Sequence, residues 1–419
     1  MSIEKKKILN DPVYGFINIP KGAAFNVIEH PYFQRLRRIK QLGLTYYVYP
    51  GAIHSRFQHT LGATHLMTLA LDTLISKGIE ISEDEYRGAV LAILLHDIGH
   101  GPFSHSLEKT IVGGISHEKI SLELMNFFNQ QLEGRLEQAI SIFRDKHKKH
   151  FLHQLVSSQL DVDRLDYLLR DSFFTGVSEG IVGSDRILKM LQVHENKLVV
   201  ESKGIYSVEK FLIARRLMYW QVYLHKTVIG AEQLLLKVLQ RAKYLADQKE
   251  DLFATPALKF FLYNHLSQSD LHFLTDVNIG NKKASVLELF TELDDNDLLA
   301  AIKVWRNHKD SILSFLSRSL IDRQFFHVEL QNQAFNSEEI DRVNQKVKAY
   351  FNINNRDLEY FVMTGTIRNN AYSRFDDRIN IIQKNKQLVD IADASDILDL
   401  SALSKVIEKR FLLYPKQVI

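Results

Sequence analysis

The sequence predicts a mainly α-helical protein with a small α+β region at its C-terminal side. Two observations lead to this prediction. Over most of the chain before residue 325, apolar residues recur at three- and four-residue steps, which is the period of a helix with one buried face. Beyond that point the pattern changes to short strand-like runs around one helix, in the order β, α, β, β.

The helices of the first part are predicted one by one from this period. Ser82 and Glu85 have the spacing of a capping box, so a helix should begin there and run through Leu95. A long helix is expected from Val208 to about Ala246. The other predicted helices cover residues 25–39 with a break at Pro31, 57–77, 117–128, 129–150 and 155–171, with further short helices over 251–320.

Strands are predicted where turn residues flank β-branched or aromatic runs. Residues 192–201 should form a hairpin that turns at residues 195–197. Residues 46–51 are expected to be extended. Further strands are predicted at 16–19, 325–330, 360–367 and 379–391, the last as a hairpin.

Composition excludes several classes of protein and of site. The net charge is only +3 for 419 residues, so local basic clusters permit nucleic-acid binding but the bulk charge does not indicate it. Cysteine is absent, so a metal must be held by histidine and carboxylate side chains. No apolar run approaches the ~20 residues that cross a membrane, and no secretory signal is recognised. A cytoplasmic protein without membrane contact is therefore expected.

A group of polar residues at the end of an apolar helix is the main functional signal. Residues 91–95 are all apolar, His96 and Asp97 follow directly, and His100 and His105 come soon after. Burying such groups is costly unless they are paired or bind a ligand. An adjacent His-Asp pair can ligate Mg, Mn, Fe, Ni or Zn. The alternative is a core helix that ends in solvated histidines.

Two further residues can complete such a metal site. His59 lies at the start of one predicted helix, and Asp163 lies on another. Facing helices can bring such side chains onto one ion and leave positions open for water and substrate. Asp163, Tyr167, Arg170 and Asp171 should share one helix face, although a purely structural face of Asp–Arg pairs has a similar pattern.

The order His59, His96-Asp97, Asp163 resembles that of the HD-domain superfamily of metal-dependent phosphohydrolases. Within it, the chain is similar to the deoxynucleoside triphosphate triphosphohydrolases (dNTPases) over residues 7–230. The blocks that carry this similarity are Asn10–Gly15, Phe33–Gly43, Tyr46–Ala52, His54–Gly62, His96–His105 and Asp161–Asp171. The resemblance implies an HD-domain helical fold. The catalytic domain would cover residues 1–240, a helical extension 241–324 and a small α+β subdomain 325–419.

The resemblance also implies a role for each matching residue. The metal ligands would be His59, His96, Asp97 and Asp163. The catalytic and phosphate-contacting residues would be His100, His105, Glu108 and His117. The substrate-binding residues would be Gln41, Arg56, Arg164, Tyr167, Asp171, Arg215 and Tyr223. Among these, the arginines would clamp a triphosphate, Tyr167 would exclude a 2′-hydroxyl, and Gln41 and Asp171 would bind the 3′-hydroxyl.

The implied reaction is hydrolysis of a dNTP at the α-phosphorus to a deoxynucleoside and inorganic triphosphate. The metal would polarise a phosphate oxygen and water, and the arginines would neutralise charge. His105 is the favoured proton donor to the leaving 5′-oxygen. Two residues depart from the family pattern: Glu108 replaces an aspartate, and Arg164 replaces the lysine of the animal enzymes, which changes the geometry of phosphate contact.

A second site is implied at a subunit interface of a homo-oligomer, a dimer or tetramer. It would bind GTP or dGTP as an effector through Lys7, Glu29 (an aspartate in the animal enzymes), Gln34 and Arg37. The alternative is that these four are surface residues of a constitutive oligomer.

Two other functions remain open from the sequence. Another HD phosphohydrolase, a nucleotidase or phosphodiesterase, would use the same metal but would never release triphosphate. A non-catalytic nucleotide-sensing oligomer would retain the pocket, but the complete metal set argues against it.

Overall fold

The structure is a computed structural model that describes residues 6–103, 110–111, 113, 115–265, 276–279, 282–374, 377–395 and 405–419. Helices form most of it. The helices up to residue 247 are α1 (Ala23–Glu29), α2 (Pro31–Gln34), α3 (Arg56–Ser76), α4 (Glu83–Leu95), α5 (His117–Gln131), α6 (Glu137–Phe143), α7 (His150–Val156), α8 (Val162–Thr175), α9 (Ser184–Met190), α10 (Ile205–Met218) and α11 (Lys226–Asp247). The later helices are α12 (Pro256–Tyr263), α13 (Val286–Glu292), α14 (Asp295–Trp305), α15 (Ser311–Ile321), α16 (Ser337–Phe351) and α17 (Ile391–Ala394).

Small sheets surround the helices. Their strands are β1 (Lys6–Asp11), β2 (Gly15–Pro20), β3 (Leu191–His194), β4 (Lys197–Glu201), β5 (Asp276–Ile279), β6 (Lys282–Ser285), β7 (His327–Gln331), β8 (Met363–Asn369), β9 (Asn380–Ile382), β10 (Leu388–Asp390) and β11 (Ile407–Tyr414). The pairs β1–β2 and β5–β6 are antiparallel hairpins, and β7, β11 and β8 form an antiparallel sheet with β11 in the middle. β9 pairs in parallel with β4, so the β9–β10 hairpin extends the sheet that β3 and β4 begin. The C-terminal α+β region is thereby attached to the helical part.

Three helices at the centre of the fold position the site. α3 packs against both α4 and α8. α4 begins at a capping box in which Ser82 and Glu85 bond each other's backbone N–H groups. α8 begins where the Asp161 carboxylate accepts the Arg164 N–H, and it ends at Gly176 in the left-handed conformation, with φ +75°. The start of α8, the start of α3 and the end of α4 carry the polar residues of interest.

A buried arginine joins this centre to the later helices. The Arg35 guanidinium is fully buried, and it donates to the carbonyl oxygens of Ile98 at 2.6 Å and Leu293 at 3.5 Å. Its face lies 5.1 Å from the ring of Phe290. Burial lowers the pKa of Arg35 to about 9, which still leaves it charged at neutral pH. The backbone that follows Asp97 is thus held against the α13–α14 connection.

Many predicted elements are confirmed. The helix predicted over 25–39 breaks at Pro31 as expected, and the helices at 57–77 and 117–128 are present within a few residues. The helix predicted over 155–171 is confirmed only in part: residues 157–161 are not helical, and α8 runs from Val162 to Thr175. The hairpin at 192–201 turns at Glu195 and Asn196, which both have positive φ, as this tight turn requires. The mainly α fold with a C-terminal α+β region is therefore correct.

Three local predictions are wrong. The helix predicted over 129–150 is interrupted, because Glu133 and Gly134 adopt positive φ between α5 and α6. Residues 46–51 are not extended; the chain forms a 3-10 helix over Gly43–Tyr47, and its tyrosines are used as tertiary anchors, with the Tyr49 hydroxyl donating to the Gln221 carbonyl at 2.6 Å.

The third wrong prediction is the unbroken helix from 208 to 246. α10 passes into a π-helix over Tyr219–Tyr223, and the chain then leaves helical geometry before α11 begins. The imidazole of His225 accepts the Thr227 N–H at 3.2 Å and caps the new helix. The apolar period continues across the break, so the sequence pattern alone gave no sign of it.

No helix among the described residues is both long enough and apolar enough to cross a membrane.

We predict that Gly62→Ala destabilises the protein by about 3 kcal/mol, the upper end of the range for overpacking. In an ordinary helix this change stabilises by about 1 kcal/mol. Here a Cβ atom would lie 1.9 Å from Asp166 Oδ1 and 2.2 Å from Arg170 Nη2, so α3 and α8 would have to separate. Chemical denaturation measures the effect. Gly183→Ala is the control, because a Cβ there meets nothing within 4 Å, and a stable Gly62→Ala protein would contradict the close packing.

Candidate metal centre and substrate site

Three helices bring the four predicted metal ligands together. His59 lies in the first turn of α3, His96 and Asp97 follow the last turn of α4, and Asp163 lies in the first turn of α8. Asp163 Oδ1 is 3.0 Å from His59 Nε2 and 3.4 Å from His96 Nε2. Asp97 Oδ1 is 3.3 Å from His96 Nε2, and Asp97 Oδ2 is 3.8 Å from His59 Nε2. The four side chains therefore converge on one point.

Both histidine rings are oriented to bind a metal. His59 Nδ1 lies 2.7 Å from Asp166 Oδ2, and His96 Nδ1 lies 2.6 Å from the Ile93 carbonyl oxygen, so each Nδ1–H can donate away from the cluster. Both Nε2 atoms are buried and make no well-aligned hydrogen bond to any described residue. A carboxylate or carbonyl on the far nitrogen is the usual arrangement for a metal-binding histidine. These donors fit a divalent cation.

The charges of the cluster also favour a cation. Burial disfavours a charged imidazole, but the contacts with Asp163 and Asp166 outweigh it and raise the pKa of His59 to about 10. Burial alone would raise the pKa of Asp163, but the contacts with His59 and His96 hold it well below its usual range. In the metal-free protein a proton therefore lies on His59, where a metal ion would replace it.

Asp97 links this cluster to a second pair of histidines. Its Oδ1 is 3.3 Å from His100 Nε2, and its Oδ2 accepts from Arg56 Nη1 at 2.6 Å. The rings of His100 and His117 are stacked with their centroids 3.7 Å apart. Burial and the charge of Arg56 lower the pKa of His100 to about 3, so it is neutral at physiological pH. Asp97, His100 and His117 also have the mutual distances of a metal-ligand group.

Two predicted catalytic residues, His105 and Glu108, lie outside the described residues.

Asp171 lies on the face of α8 that also carries Asp163 and Tyr167, and two hydrogen bonds fix the orientation of its carboxylate. Its Oδ1 is 2.8 Å from His54 Nε2, and its Oδ2 accepts the Tyr223 hydroxyl at 2.7 Å. The Tyr167 ring lies beside Tyr223, with centroids 6.2 Å apart. The backbone N–H of Gln41 donates to the His54 carbonyl at 3.0 Å, and Gln41 Oε1 is buried without a hydrogen bond to a described residue. Asp171 and Tyr223 are thus brought together, with Gln41 tied to His54 beside them.

The three predicted phosphate-binding arginines are held by different parts of the chain. Arg56 is bound to Asp97, and the Arg164 guanidinium pairs with Asp161. Arg215 Nη1 donates to the Ala371 carbonyl at 3.2 Å, so the C-terminal region supports it. The positive charges of Arg164 and Arg215 both act on the Tyr167 hydroxyl. All three arginines therefore border the metal cluster or the tyrosines.

Arg170 lies at i+7 from Asp163 on the uninterrupted helix α8, as predicted for the shared face. Its side chain is fully buried and pairs with carboxylates: its Nε donates to Asp166 Oδ2 at 3.0 Å, and its Nη1 donates to Asp11 Oδ2 at 2.8 Å. The structure therefore places Arg170 in a buried ion-pair network behind the metal ligand His59.

The predicted effector residues form two separate pairs. Lys7 Nζ is 3.0 Å from Glu29 Oε1, and both side chains are exposed. Arg37 Nε donates to Gln34 Oε1 at 2.7 Å, and its guanidinium lies 3.6 Å from the centroid of Phe57. A cavity of about 330 Å³ opens beside Arg37. Its other lining residues are Leu9, Asn10, Asp11, Ile17, Ser55, Phe57, Gln58 and Leu61.

Sequence reasoning gave no role to three residues that support the site. His54 holds Asp171, Asp166 holds His59, and Asp11 holds Arg170 from the β1–β2 turn. His54 lies two residues before Arg56 in a recognised block, and Asp166 lies one helical turn after Asp163. These positions close to predicted site residues were the signals by which the sequence could have identified His54 and Asp166. Asp11 also lies in a recognised block, Asn10–Gly15, but its contact with Arg170 spans 159 residues, and no local spacing predicts it.

Comparisons with known proteins agree with this geometry. The HD domain profile matches residues 56–171, and the profile of an HD associated region matches residues 182–254. HD domains are metal-dependent, which accords with the His and Asp group described above.

Three proteins illustrate the similarity. A solved structure of a phosphohydrolase from Bacteroides thetaiotaomicron is 53% identical, covers 98% of this chain and 100% of its own, and superposes with a TM-score of 0.92. The uncharacterized protein YwfO of Bacillus subtilis is 32% identical over 100% of this chain and 94% of its own length. The deoxynucleoside triphosphate triphosphohydrolase SAMHD1 of Homo sapiens is 30% identical over 54% of this chain and 42% of its own length.

We predict that the protein binds Mn²⁺ more tightly as pH rises. His59 is protonated below its raised pKa of about 10, and its Nε2 must lose that proton to ligate an ion. Burial disfavours a charged His96, but contacts with Asp97 and Asp163 outweigh it and raise the pKa of this second ligand as well. At least one proton is therefore released, and the affinity should increase roughly tenfold or more per pH unit between about pH 6 and 9. Calorimetry in buffers of different ionisation enthalpy counts the protons. Affinity that is constant over this range would contradict the protonated cluster.

Proposed function

This chain belongs to the HD-domain phosphohydrolase family, and on that premise we propose that it hydrolyses deoxynucleoside triphosphates to deoxynucleosides and inorganic triphosphate. One observation carries the proposal. Asp163, Tyr167 and Asp171 follow one another at one-turn steps along α8, so a metal ligand and the two residues proposed to contact the sugar lie on one face of this helix. The similarity to the human deoxynucleoside triphosphate triphosphohydrolase supports the same reaction.

His59, His96, Asp97 and Asp163 would hold a divalent metal, which would supply Lewis acidity at a phosphate oxygen and at water. Its identity among Mg, Mn, Fe, Ni and Zn is open. The surrounding side chains would bind the phosphates, transfer the protons and hold the sugar.

The arginines bind and orient the triphosphate. Asp97 holds the Arg56 guanidinium at 2.6 Å, and Asp161 holds that of Arg164. Because these cations are already oriented, they can neutralise phosphate charge without first rearranging. Arg215 would contribute from α10, where the Ala371 carbonyl holds it. A set of three fixed guanidinium groups suits a substrate with three phosphates.

Histidines would handle the protons. His100 is neutral at physiological pH and can accept a hydrogen bond from the attacking water. His117, stacked on it, would contact phosphate. We propose His105 as the donor to the leaving 5′-oxygen and Glu108 as its partner.

The sugar would lie against Tyr167. The Tyr167 ring would leave no room for a 2′-hydroxyl. Asp171 would accept a hydrogen bond from the 3′-hydroxyl, and the buried Gln41 Oε1 offers a second acceptor. Tyr223 keeps the Asp171 carboxylate in place through its 2.7 Å hydrogen bond. The proposed contacts are to sugar and phosphate, so we expect little preference among bases.

We further propose that a guanine nucleotide, GTP or dGTP, binds beside Arg37 at an interface of a homo-oligomer. The cavity of about 330 Å³ is at the small end of ligand pockets, and Arg37, which is hydrogen-bonded to Gln34, offers a positive charge at its edge. The exposed Lys7–Glu29 pair would open to meet phosphate and base. A dimer or tetramer and a cytoplasmic location are part of this proposal.

We predict that the purified protein converts each dNTP with Mg²⁺ or Mn²⁺ to deoxynucleoside plus triphosphate, resolved by ion-exchange chromatography. Added GTP should increase the rate. Asp163→Asn should lose metal and lower the activity roughly 100-fold or more while remaining folded. Release of orthophosphate, monophosphate or a dinucleotide would instead indicate a nucleotidase or phosphodiesterase. Tight nucleotide binding with no turnover would indicate a sensing oligomer.

We also predict that Tyr167→Ala weakens discrimination against ribonucleotides. Removing the ring makes room for a 2′-hydroxyl, so the ratio of kcat/KM for dATP over ATP should fall roughly 10- to 100-fold. Phe173→Ala is the matched control, because Phe173 lies on the same helix with its side chain exposed. An unchanged ratio in Tyr167→Ala would overturn the assigned sugar contact.

A further inference from the structure

A buried chain of charged side chains runs from the metal ligand His59 away from the site. His59 Nδ1 is 2.7 Å from Asp166 Oδ2. Asp166 accepts from Arg170 through both oxygens, each at 3.0 Å. Arg170 then donates to both oxygens of Asp11, at 2.8 and 3.3 Å. The last residue of β1 is thereby connected to the metal centre through two intermediates.

We call His59, Asp166, Arg170 and Asp11 the relay, and all four side chains are shielded from water. His59, Asp166 and Arg170 have no exposed surface, and Asp11 is 8% exposed. A buried charge is tolerated only when it is paired, so each member depends on its neighbours. Gly62 faces the relay, and a Cβ atom there would overlap Asp166 and Arg170. The helix packing therefore leaves space for these side chains and for little else.

Asp11 has a second function in the hairpin. Its Oδ1 accepts the backbone N–H groups of Val13 and Tyr14 at 2.9 and 3.1 Å, which shapes the β1–β2 turn. Asp11 also lines the cavity of about 330 Å³ next to Arg37. The same carboxylate thus touches the hairpin, the cavity and the relay.

We propose that Asp11 is a positioning residue for the metal centre: acting through Arg170 and Asp166, it fixes the ring of His59 and connects the cavity to the bound metal. A carboxylate on the far nitrogen of a ligating histidine sets the tautomer and the ring orientation. Asp166 can do this only while its own position is fixed. Arg170 provides that fixed position, and Asp11 binds the other side of the guanidinium.

Two variants test the positioning role. In Asp11→Asn the amide side chain retains an oxygen for the turn but presents an N–H group to Arg170 in place of an acceptor. Arg170→Lys retains the positive charge but loses the fork that joins two carboxylates. Asp310→Asn is the matched control, because Asp310 also caps a backbone N–H and pairs with an arginine, Arg241, at 2.6 Å.

The measurement is the rate at which Mn²⁺ leaves the loaded protein in excess EDTA, followed by the signal of released Mn²⁺. We expect Asp11→Asn and Arg170→Lys to accelerate release roughly 10- to 100-fold, and Asp310→Asn to leave it unchanged. The thermal midpoints of the metal-free proteins show whether the fold is retained. If Asp11→Asn does not fold, Arg170→Lys decides. Release at the wild-type rate in both variants, or equally fast release from Asp310→Asn, overturns the proposal.

The connection to the cavity rests on the proposed effector site and has its own test. Saturating GTP should change Mn²⁺ release from the wild-type protein and should not change it from Asp11→Asn. An equal change in both proteins would mean that GTP acts at the metal directly, and no change in the wild type would mean that the cavity is not coupled; either result overturns the connection. Because release needs no turnover, failure here is distinct from failure of the dNTPase reaction.

Discussion

The pairing of Asp166 with both His59 and Arg170 is the interaction on which the site depends. It lies in the contact between α3 and α8, where Gly62 provides the space for it. The buried carboxylate requires cations on both sides, and the ring of His59 requires an acceptor on its far nitrogen before it can present Nε2 to a metal. One contact therefore sets the separation of two helices and the orientation of a ligand. The position of the β1–β2 hairpin follows from it as well, through Asp11.

The site also depends on residues far along the chain. Arg35 ties the backbone after Asp97 to the α13–α14 connection, and the Lys40 N–H donates to Asp295 at 3.0 Å in the same region. Near the start of α8, the Gln159 side chain exchanges two hydrogen bonds with the backbone of Ser373. The later helices and the C-terminal α+β region thus brace the metal-bearing helices, although they supply none of the four predicted metal ligands.

Much of the fold followed from local pattern. The capping box at Ser82 and Glu85 and the hairpin at residues 192–201 are decided by contacts within a few residues, which is why the sequence identified them. The π-helix at Tyr219–Tyr223 is different. Its apolar period matches that of an α-helix, so nothing local marked the change that brings Tyr223 to Asp171. The extended segment predicted at residues 46–51 is wrong for a related reason. The β propensity of its tyrosines favoured a strand, but the hydroxyls of Tyr47 and Tyr49 donate to the distant carbonyls of Leu320 and Gln221, and these contacts decide the local structure.

The sequence by itself determined the helical class, the apolar helix that carries His96 and Asp97, and the residue types able to hold a metal without cysteine. It could also place Asp163, Tyr167 and Asp171 on one face, because that face depends only on helical period. The tertiary structure alone decided that Arg170 pairs with Asp11, that His54 and Tyr223 share Asp171, and that Asp11 is joined to His59. These contacts join residues between 52 and 159 positions apart, and no local spacing encodes them. They form because buried charges must find partners wherever packing places them.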